Sequence, residues 1–232
     1  MAKLDPYERY QAKPFPGSSH TWAFKHLANL PQSSSVLDIG PGSGIIGRFL
    51  QQQGISDISA IEIDAKTREQ LRDIYPILTS RMEELPSEKK YDAVILLDVL
   101  EHMADPFQFL DQLSEKLQDG ALLYISVPNI THFAIRLMML FGYFEYMDRG
   151  PLDRTHLQFF SRRRFNELTE YLSGCQVVER SGTIEPLELM LPSSIVDLPG
   201  FQTLSRVRIA LMELWPSLLA YQHVGLLRFQ RP

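Results

Sequence analysis

Residues 35–44 read SVLDIGPGSG, and the next six residues, IIGRFL, place apolar side chains at helical spacing. A short apolar run that breaks into alternating glycines and then continues in this way is typical of a strand, a tight turn and a helix. Alternating glycines let the backbone approach a ligand closely, and the following helix directs unpaired N–H groups into the same gap. We therefore expect residues 40–44 to form a ligand-binding loop rather than an ordinary tight connection.

Two classes of cofactor compete for this loop, because Gly42–Gly47 also spells the G-x-G-x-x-G of dinucleotide-binding folds. In a dinucleotide fold the apolar strand runs almost directly into the first glycine, whereas here Asp38, Gly40 and Pro41 intervene. A pyrophosphate would be repelled by the carboxylate of Asp38, while a cationic ligand group would be attracted to it. The negative charge of Asp38 therefore favours a ligand with a cationic group over a dinucleotide.

The spacing Asp38-x-Gly40-x-Gly42-x-Gly44 resembles the first motif of the class I S-adenosylmethionine-dependent methyltransferases. The cofactor of that family carries an ammonium and a sulfonium group. The resemblance implies that these four residues contact S-adenosylmethionine, with S-adenosylhomocysteine as product. It also implies a doubly wound, mostly parallel seven-stranded α/β sheet with helices on both faces.

A second strand is predicted over residues 58–64, and Glu62 lies near its end. Because the ends of neighbouring parallel strands share one edge of a doubly wound sheet, Glu62 should lie beside the glycine loop and accept both hydroxyl protons of a ribose. A solvated acid at a strand end is the alternative. Asp64 is expected to cap the next helix, residues 65–75.

The adenine contact departs from the family pattern. A short third strand, residues 76–79, leads to Arg81, where the resemblance implies an Asp that reads the adenine amino group. We expect the contact to fall instead to the backbone of Met82 and the apolar side chain of Ile63.

The fourth strand, residues 91–98, is almost continuously apolar, as a central parallel strand should be, and ends at Asp98, which we place with the cofactor contacts. Residues 99–106 read VLEHMADP and resemble the V-L-E-H segment of small-molecule methyltransferases related to the ubiquinone-biosynthesis enzymes. A helix over residues 107–117 and a fifth strand over residues 121–127 complete five strand–helix units. The resemblance therefore covers the cofactor-binding half of the chain.

The whole chain, residues 1–232, is predicted to be one methyltransferase domain. The expected parts are an N-terminal helical segment (1–34, with a helix over 20–30), a cofactor-binding half (35–129) and an acceptor-binding half (130–232).

Within the acceptor-binding half, residues 151–160 resemble the family segment that borders the acceptor pocket. Ser161 can cap a helix, and residues 176–179 and 224–229 are predicted strands. Residues 183–221 read as an insertion that forms either a substrate cap or a dimer surface. Tyr7 and Tyr10 are expected either to pack near the terminus or to cover the ligand.

A hydroxyl acceptor must lose a proton, which calls for a general base with a pKa near the working pH, and histidine is the usual choice. His102 follows the fourth strand, and His156 lies in the segment expected to face the acceptor. Both stay open as the catalytic base, and for each a structural role is the alternative. The histidines are scattered in sequence without cysteine partners, so we predict no metal.

Composition narrows the partners. A formal net charge of -5 and a pI near 5.7 disfavour nucleic acid. The single cysteine, Cys175, excludes an intrachain disulfide, and with no signal peptide recognised we expect a cytoplasmic protein. No apolar run approaches the ~18 residues of a spanning helix, so integral insertion is not expected, while peripheral membrane contact stays open. The chain is expected to be a monomer or a homodimer.

Three functions follow from these observations. The first is S-adenosylmethionine-dependent methyl transfer to a small molecule, as O-methylation of a sugar, a quinone or a lipid-linked intermediate. The second is a nicotinamide-dependent oxidoreductase or epimerase on a similar sheet. The third is a non-catalytic cofactor-binding module, which would be expected to have lost residues of the glycine loop, and those residues are all present.

Overall fold

The computed structural model describes residues 15–231, apart from the side chain of Leu189. Its strands are β1 (Val36–Ile39), β2 (Ile58–Ile61), β3 (Ile77–Thr79), β4 (Tyr91–Leu97), β5 (Leu117–Pro128), β6 (Cys175–Gly182) and β7 (Gln222–Phe229). All belong to one sheet in the order β3-β2-β1-β4-β5-β7-β6. Strands β1 to β5 pair in parallel, and β7 runs antiparallel to β5 and β6. The predicted seven-stranded, mostly parallel sheet is confirmed.

The order of the strands fixes where a ligand can enter. From β1 the chain moves outward through β2 and β3, and it then returns to add β4 on the other side of β1. Such a reversal leaves a crevice outside the carboxyl ends of the two central strands, because the connections on either side leave in opposite directions. The site is therefore expected at the carboxyl ends of β1 and β4.

Helices cover both faces of the sheet. They are α1 (Ser19–Leu27), α2 (Ile45–Gln52), α3 (Ala65–Leu71), α4 (Pro106–Ser114), α5 (Phe133–Leu140), α6 (Arg162–Tyr171), α7 (Leu187–Met190), α8 (Ser193–Val196), α9 (Pro199–Leu214) and α10 (Pro216–Leu219). Successive strand residues point to opposite faces, so Val36 packs with α1, α2 and α3 while Leu37 packs with α4 and α6. The two apolar layers hold the strand ends in fixed positions.

Side-chain caps start the helices where the sequence predicts them. The Ser18 hydroxyl accepts the N–H of Thr21 at 3.1 Å, and the Asp64 carboxylate accepts the N–H of Thr67 at 2.7 Å. Ser161 caps α6 in the same way. Each cap satisfies one of the unpaired N–H groups of the first helical turn.

Several predicted boundaries were wrong by a few residues. Helix α4 ends at Ser114 rather than at residue 117, because Leu117 already pairs with Tyr91 as the first residue of β5. The pairing of β4 and β5 then shifts register, and Gly120 takes a φ of +83° within the irregular stretch. Helix α3 stops at Leu71 rather than at residue 75, and Tyr75 turns its hydroxyl toward β1.

The insertion leaves the sheet and returns to it at one point. The N–H of Thr183 donates to the carbonyl of Gln222 at 3.0 Å, and the N–H of Tyr221 donates to the carbonyl of Thr183 at 2.8 Å. Helices α7 to α10 lie between these bonds, and Met212 packs with Phe15 and Ile184 in a small separate core. This excursion runs from residue 183 to residue 221, and its role as a substrate cap or a dimer surface stays a prediction.

The segment between β5 and α6 exposes large apolar side chains. Helix α5 and the loop after it carry the exposed residues Phe133, Leu137, Met139, Leu140, Phe141, Tyr143, Phe144, Tyr146 and Met147. Even so, no helix within residues 15–231 combines the length and the apolar character needed to cross a membrane.

Candidate active site

A cavity of about 580 Å³ opens at the carboxyl ends of β1, β2 and β4. We call it the main cavity. Its lining includes Asp38 in β1, Gly40 and Gly42 after β1, Glu62, Ile63 and Asp64 after β2, Arg81 and Met82 after β3, and Asp98, Val99 and His102 after β4. Of the ten site residues predicted from sequence, Gly44 and His156 do not line it.

The three glycines of the loop have different roles. Gly40, Gly42 and Gly44 adopt φ values of +65°, +54° and +74°, a region that side-chain-bearing residues rarely enter. Gly40 and Gly42 border the main cavity. At Gly44 a Cβ would instead lie 2.6 Å from the side chain of Ile74 and 2.7 Å from that of Leu71. Gly44 therefore serves the packing of α2 rather than the lining of the cavity.

Asp38 is a buried acid at the end of β1. Its side chain is 3 % exposed, and one carboxylate oxygen accepts the hydroxyl of Tyr75 at 2.5 Å. Burial raises the pKa of Asp38 to about 7, the hydrogen bond from Tyr75 opposes the rise, and the charge of Glu62 adds to it. A cationic ligand group would reverse the effect of burial, because it stabilises the ionised carboxylate.

Glu62 lies immediately after β2, where its backbone N–H donates to the carbonyl of Thr79 at 3.0 Å. One carboxylate oxygen accepts the N–H of Asp64 at 2.9 Å, which orients the side chain at the cavity wall. Burial raises the pKa of Glu62, while the N–H of Asp64 and the charge of Arg68 oppose the rise. The structure thus places a second carboxylate beside the glycine loop, as the topology of the sheet predicts.

The wall beyond Glu62 is apolar. Ile63 is 84 % exposed and lines the cavity, an unusual position for a large aliphatic side chain. Met82 begins a 3₁₀ turn (Met82–Glu84) on the same wall, and Arg81 precedes it in an extended conformation. An exposed apolar surface at a cavity mouth is suited to a planar ring, because the ring and the side chain would cover each other.

Asp98 is held in an unusual backbone conformation. Within residues 15–231 it is the one non-glycine residue with positive φ, +57°. Its carboxylate accepts the hydroxyl of Ser126 at 2.7 Å and the side-chain amide of Gln222. Asp98 lines the main cavity, and left-handed strain that neighbouring bonds maintain is typical of functional positions.

Backbone hydrogen bonds bring the two candidate histidines together. The carbonyl of Glu101 accepts the N–H groups of Leu157 and Gln158 at 2.8 and 2.9 Å. These bonds tie the segment before α6 to the turn after β4, so the rings of His102 and His156 lie with centroids 4.8 Å apart. The sequence places both histidines near the acceptor side but gives no sign that they touch.

The hydrogen bonds of each ring indicate its tautomer. His102 Nδ1 lies 3.1 Å from the carbonyl of Thr155, and His156 Nδ1 lies 3.3 Å from the carbonyl of Pro151. A carbonyl only accepts, so each Nδ1 carries a proton, and in the neutral form of either ring Nε2 would have the lone pair. Burial and the neighbouring His102 lower the pKa of His156. Of these two histidines, only His102 lines the main cavity.

Glu101 joins the two histidines in a compact cluster. Potential ligand atoms of Glu101, His102 and His156 all lie within 4.8 Å of one another. The sequence argument against a metal relied on the histidines being scattered, and the fold removes that premise. The prediction that this protein holds no metal stays a prediction.

Other lining residues were missed from sequence. His20 reaches the cavity from α1, Phe109 and Gln112 from α4, and Thr155 from the segment before α6. The apolar spacing of α4 places Phe109 with the core, and nothing in the pattern marks the face that borders a cavity. No residue of the insertion, 183–221, is among the lining residues in the described part of the chain.

The sheet order, the left-handed glycine loop and two carboxylates, Asp38 buried and Glu62 half-buried, define an α/β protein of the doubly wound, cofactor-binding class. A SAM-dependent methyltransferase from Archaeoglobus fulgidus has the same fold. Its crystal structure superposes with a TM-score of 0.59 at 19 % identity, over 93 % of this chain and 96 % of that one.

The chain belongs to a methyltransferase-domain family, whose model matches residues 20–179. A ubiquinone biosynthesis O-methyltransferase of Rickettsia akari is 32 % identical over 138 residues, covering 57 % of this chain and 53 % of that protein. The mitochondrial ubiquinone biosynthesis O-methyltransferase of Dictyostelium discoideum is 26 % identical over 180 residues, with coverages of 69 % and 56 %. The chain spans about half the length of the curated relatives it matches.

Proposed function

We propose that this protein transfers a methyl group from S-adenosylmethionine to a small-molecule acceptor. The observation that carries the proposal is the pair of carboxylates, Asp38 and Glu62, that flank the glycine loop in one cavity. Together they suit a ligand with both an ammonium group and a ribose, and they would repel the pyrophosphate of a nicotinamide dinucleotide. Membership of the methyltransferase family supports the same conclusion.

The residues present fit this cofactor. A Cβ at Gly40 would lie 2.9 Å from the side chain of Val99, so only glycine leaves this part of the loop open. Gly42 lets the backbone approach the methionine portion closely, and Asp38 attracts the ammonium. Glu62 accepts the two ribose hydroxyls as a carboxylate that Asp64 already orients.

The other predicted contacts complete the cofactor site. Ile63 and Met82 cover the adenine ring from the apolar wall, and the backbone near Met82 replaces the acidic side chain that Arg81 does not supply. Asp98, held by Ser126 and Gln222, bounds the side of the cavity nearest β4. Gly44 supports the loop from behind through its packing against Ile74.

When bound, the sulfonium supplies an electrophilic methyl group for an in-line displacement. The chain mainly has to hold the two reactants aligned and exclude water, and such positioning can supply about 7–11 kcal/mol. A hydroxyl acceptor additionally requires proton removal. We assign that role to Nε2 of His102, since His102 lines the cavity and its Nδ1 proton is engaged by the carbonyl of Thr155. His156, behind it, keeps His102 in place and is the second candidate for the base.

The acceptor that this site fits best is a hydroxyl on an apolar ring, of the quinone or lipid-linked type. Two relatives are named as ubiquinone biosynthesis O-methyltransferases. The apolar side chains exposed on α5 and on the loop after it favour an apolar acceptor or peripheral contact with a lipid surface. Residues 130–232 form the acceptor-binding half in this proposal. We also propose that the protein acts in the cytoplasm, where its single cysteine would stay reduced, and that it is a monomer or a homodimer.

Methyl transfer can be measured directly. The protein is incubated with S-adenosylmethionine carrying a labelled methyl group and a series of hydroxylated benzoquinols and sugars. We expect label in at least one phenolic acceptor, with His102→Ala as the matched inactive control. Transfer to none of them, or to no component of a cell extract, would contradict the proposed activity.

A further inference from the structure

Tyr75 is a buried residue at the back of the glycine loop, in the turn between α3 and β3. It is 2 % exposed and belongs to the apolar layer formed by α1, α2 and α3. It does not line the main cavity. Its hydroxyl nevertheless makes two hydrogen bonds in this apolar layer, one to the first turn of α2 and one to Asp38 in β1.

The hydroxyl connects the start of α2 with Asp38. It accepts the N–H of Gly47 at 3.1 Å and donates to Asp38 Oδ2 at 2.5 Å. Gly47 is in the first turn of α2, where N–H groups lack intrahelical partners, and the N-cap residue Gly44 offers no side chain. Accepting from a helix N-terminus polarises the hydroxyl and strengthens its donation to the carboxylate.

The contact with Tyr75 also explains why residue 47 is a glycine, since none of the proposed cofactor contacts involves Gly47. A Cβ at Gly47 would lie 2.5 Å from the Tyr75 ring and 2.6 Å from its hydroxyl oxygen. Glycine at this position therefore admits the tyrosine. Gly47, the last glycine of the G-x-G-x-x-G spacing, is therefore explained by its contact with Tyr75 rather than by a dinucleotide.

We propose that Tyr75 is a positioning residue for the cofactor: its hydroxyl anchors one oxygen of Asp38 and leaves the other, Oδ1, for the ligand's ammonium group. This inference rests on the proposed function. Within the described residues Oδ1 makes no other hydrogen bond, and Asp38 lines the cavity. The anchoring residue comes from beyond β2, outside the glycine motif.

The charged groups around Asp38 determine how the affinity for the ligand's ammonium group depends on pH. Burial and Glu62 raise the pKa of Asp38, the Tyr75 hydroxyl lowers it, and Arg48 faces Tyr75 from α2. Loss of the hydroxyl should therefore raise the pKa of Asp38 above about 7. Because the ammonium binds the ionised carboxylate, affinity should increase as pH rises through this pKa and level off above it.

The test is a calorimetric titration with S-adenosylhomocysteine between pH 6 and 8.5 on wild type, Tyr75→Phe and a matched control, Tyr124→Phe. Tyr124 is fully buried in the same layer, and its hydroxyl makes no hydrogen bond within the described residues. At pH 7 we expect Tyr75→Phe to bind about three- to tenfold more weakly, less than for the loss of a direct hydrogen bond to a charged group, because Tyr75 acts on the ligand through Asp38. The loss should shrink toward pH 8.5, and Tyr124→Phe should follow the wild type.

A second ligand separates positioning from general stability. 5′-Methylthioadenosine shares the adenine and ribose but has no ammonium, so Tyr75→Phe should bind it as the wild type does. Equal losses for both ligands, a loss independent of pH, or a wild-type profile in Tyr75→Phe would each overturn the role of Tyr75. If the wild type binds neither ligand at any pH, the proposed function itself fails, which is a distinct result.

Discussion

The two halves of the molecule contribute to the main cavity in different ways. In residues 35–129 the two carboxylates beside the glycine loop lie at strand ends, Asp38 within β1 and Glu62 directly after β2. In residues 130–231 Thr155 arrives on an irregular segment that backbone bonds tie to the carbonyl of Glu101. The first half is built from local patterns, while the second depends on contacts between segments that are distant in sequence.

This contrast predicts that changes at the glycine loop abolish cofactor binding, whereas changes where the two halves meet, at His102 and His156, affect turnover. The largest effect is expected at Gly42. Gly42→Val puts a β-branched side chain at a φ of +54° on the cavity wall, so S-adenosylhomocysteine binding should be lost. Calorimetry measures the loss, and circular dichroism shows whether the variant is folded.

Gly120→Val is the matched control for that experiment. Gly120 has a φ of +83°, a Cβ there would meet nothing within 4 Å, and it lies outside the cavity lining. It should suffer similar backbone strain but retain binding. A folded Gly42→Val protein with normal affinity would contradict the role of the loop.

The two histidines test the contact between the halves, since His102 belongs to the first and His156 to the second. If the acceptor is a hydroxyl, His102→Ala should lower turnover about 10²–10⁴-fold with unchanged cofactor affinity, as expected for a lost general base. His156→Ala should have a smaller effect, because His156 does not reach the main cavity. Turnover of radiolabelled acceptor and calorimetry are compared for each variant.

The pH dependence distinguishes the two histidines further. Wild-type turnover should rise with pH as the base loses its proton, and that limb should vanish in the variant that lacks it. Since burial lowers the pKa of His156, a limb due to His156 should lie below pH 6.5. Full turnover and an intact limb in both variants would mean that neither histidine is the base.

A chelator tests the cluster of Glu101, His102 and His156. We predict no metal, so treatment with EDTA should leave turnover unchanged. Turnover that is lost with EDTA and restored by a divalent cation would make that prediction wrong, and equal losses in His102→Ala and His156→Ala would then assign the cluster as the site.

A smaller effect on binding is expected at Glu62. Glu62→Ala removes paired hydrogen bonds from the ribose to a charged acceptor, each worth about 1.5–3 kcal/mol, so affinity should fall about tenfold or more. Glu83→Ala is the control, since Glu83 is an exposed carboxylate on the same cavity that does not follow a strand end. Equal affinities in the two variants would remove Glu62 from the site.

The last effect concerns the free energy of unfolding rather than binding. The carboxyl of Asp38 is neutral in both states below about pH 4, ionised only in the unfolded chain between about pH 4 and 7, and ionised in both above about pH 7. Asp38→Asn should therefore match the wild type at pH 4 and exceed it in free energy of unfolding at pH 8, by up to about 4 kcal/mol. Urea unfolding at the two pH values measures this difference, and an equal difference at both would show that ionisation of Asp38 does not destabilise the fold.

The contrast between local patterns and contacts of distant segments also explains how much of the fold and of the site could be predicted from the sequence. The sheet, the glycine loop and the position of Glu62 beside that loop follow from periodicity and spacing within short windows, and resemblance to the family supplied the cofactor. Tyr75, His20 and Thr155 were missed, because each reaches the site through tertiary packing that leaves no local signal. The early start of β5 at Leu117 was missed for a related reason, since its pairing with Tyr91 outweighs the helical spacing of the preceding residues.

The central claim is that the cavity at the ends of β1, β2 and β4 binds S-adenosylmethionine. Its most direct test is calorimetry of the wild type with S-adenosylhomocysteine and, in parallel, with the oxidised and reduced nicotinamide dinucleotides. We predict saturable one-to-one binding of S-adenosylhomocysteine and no heat with either dinucleotide. Binding of a nicotinamide dinucleotide without binding of S-adenosylhomocysteine would contradict the account.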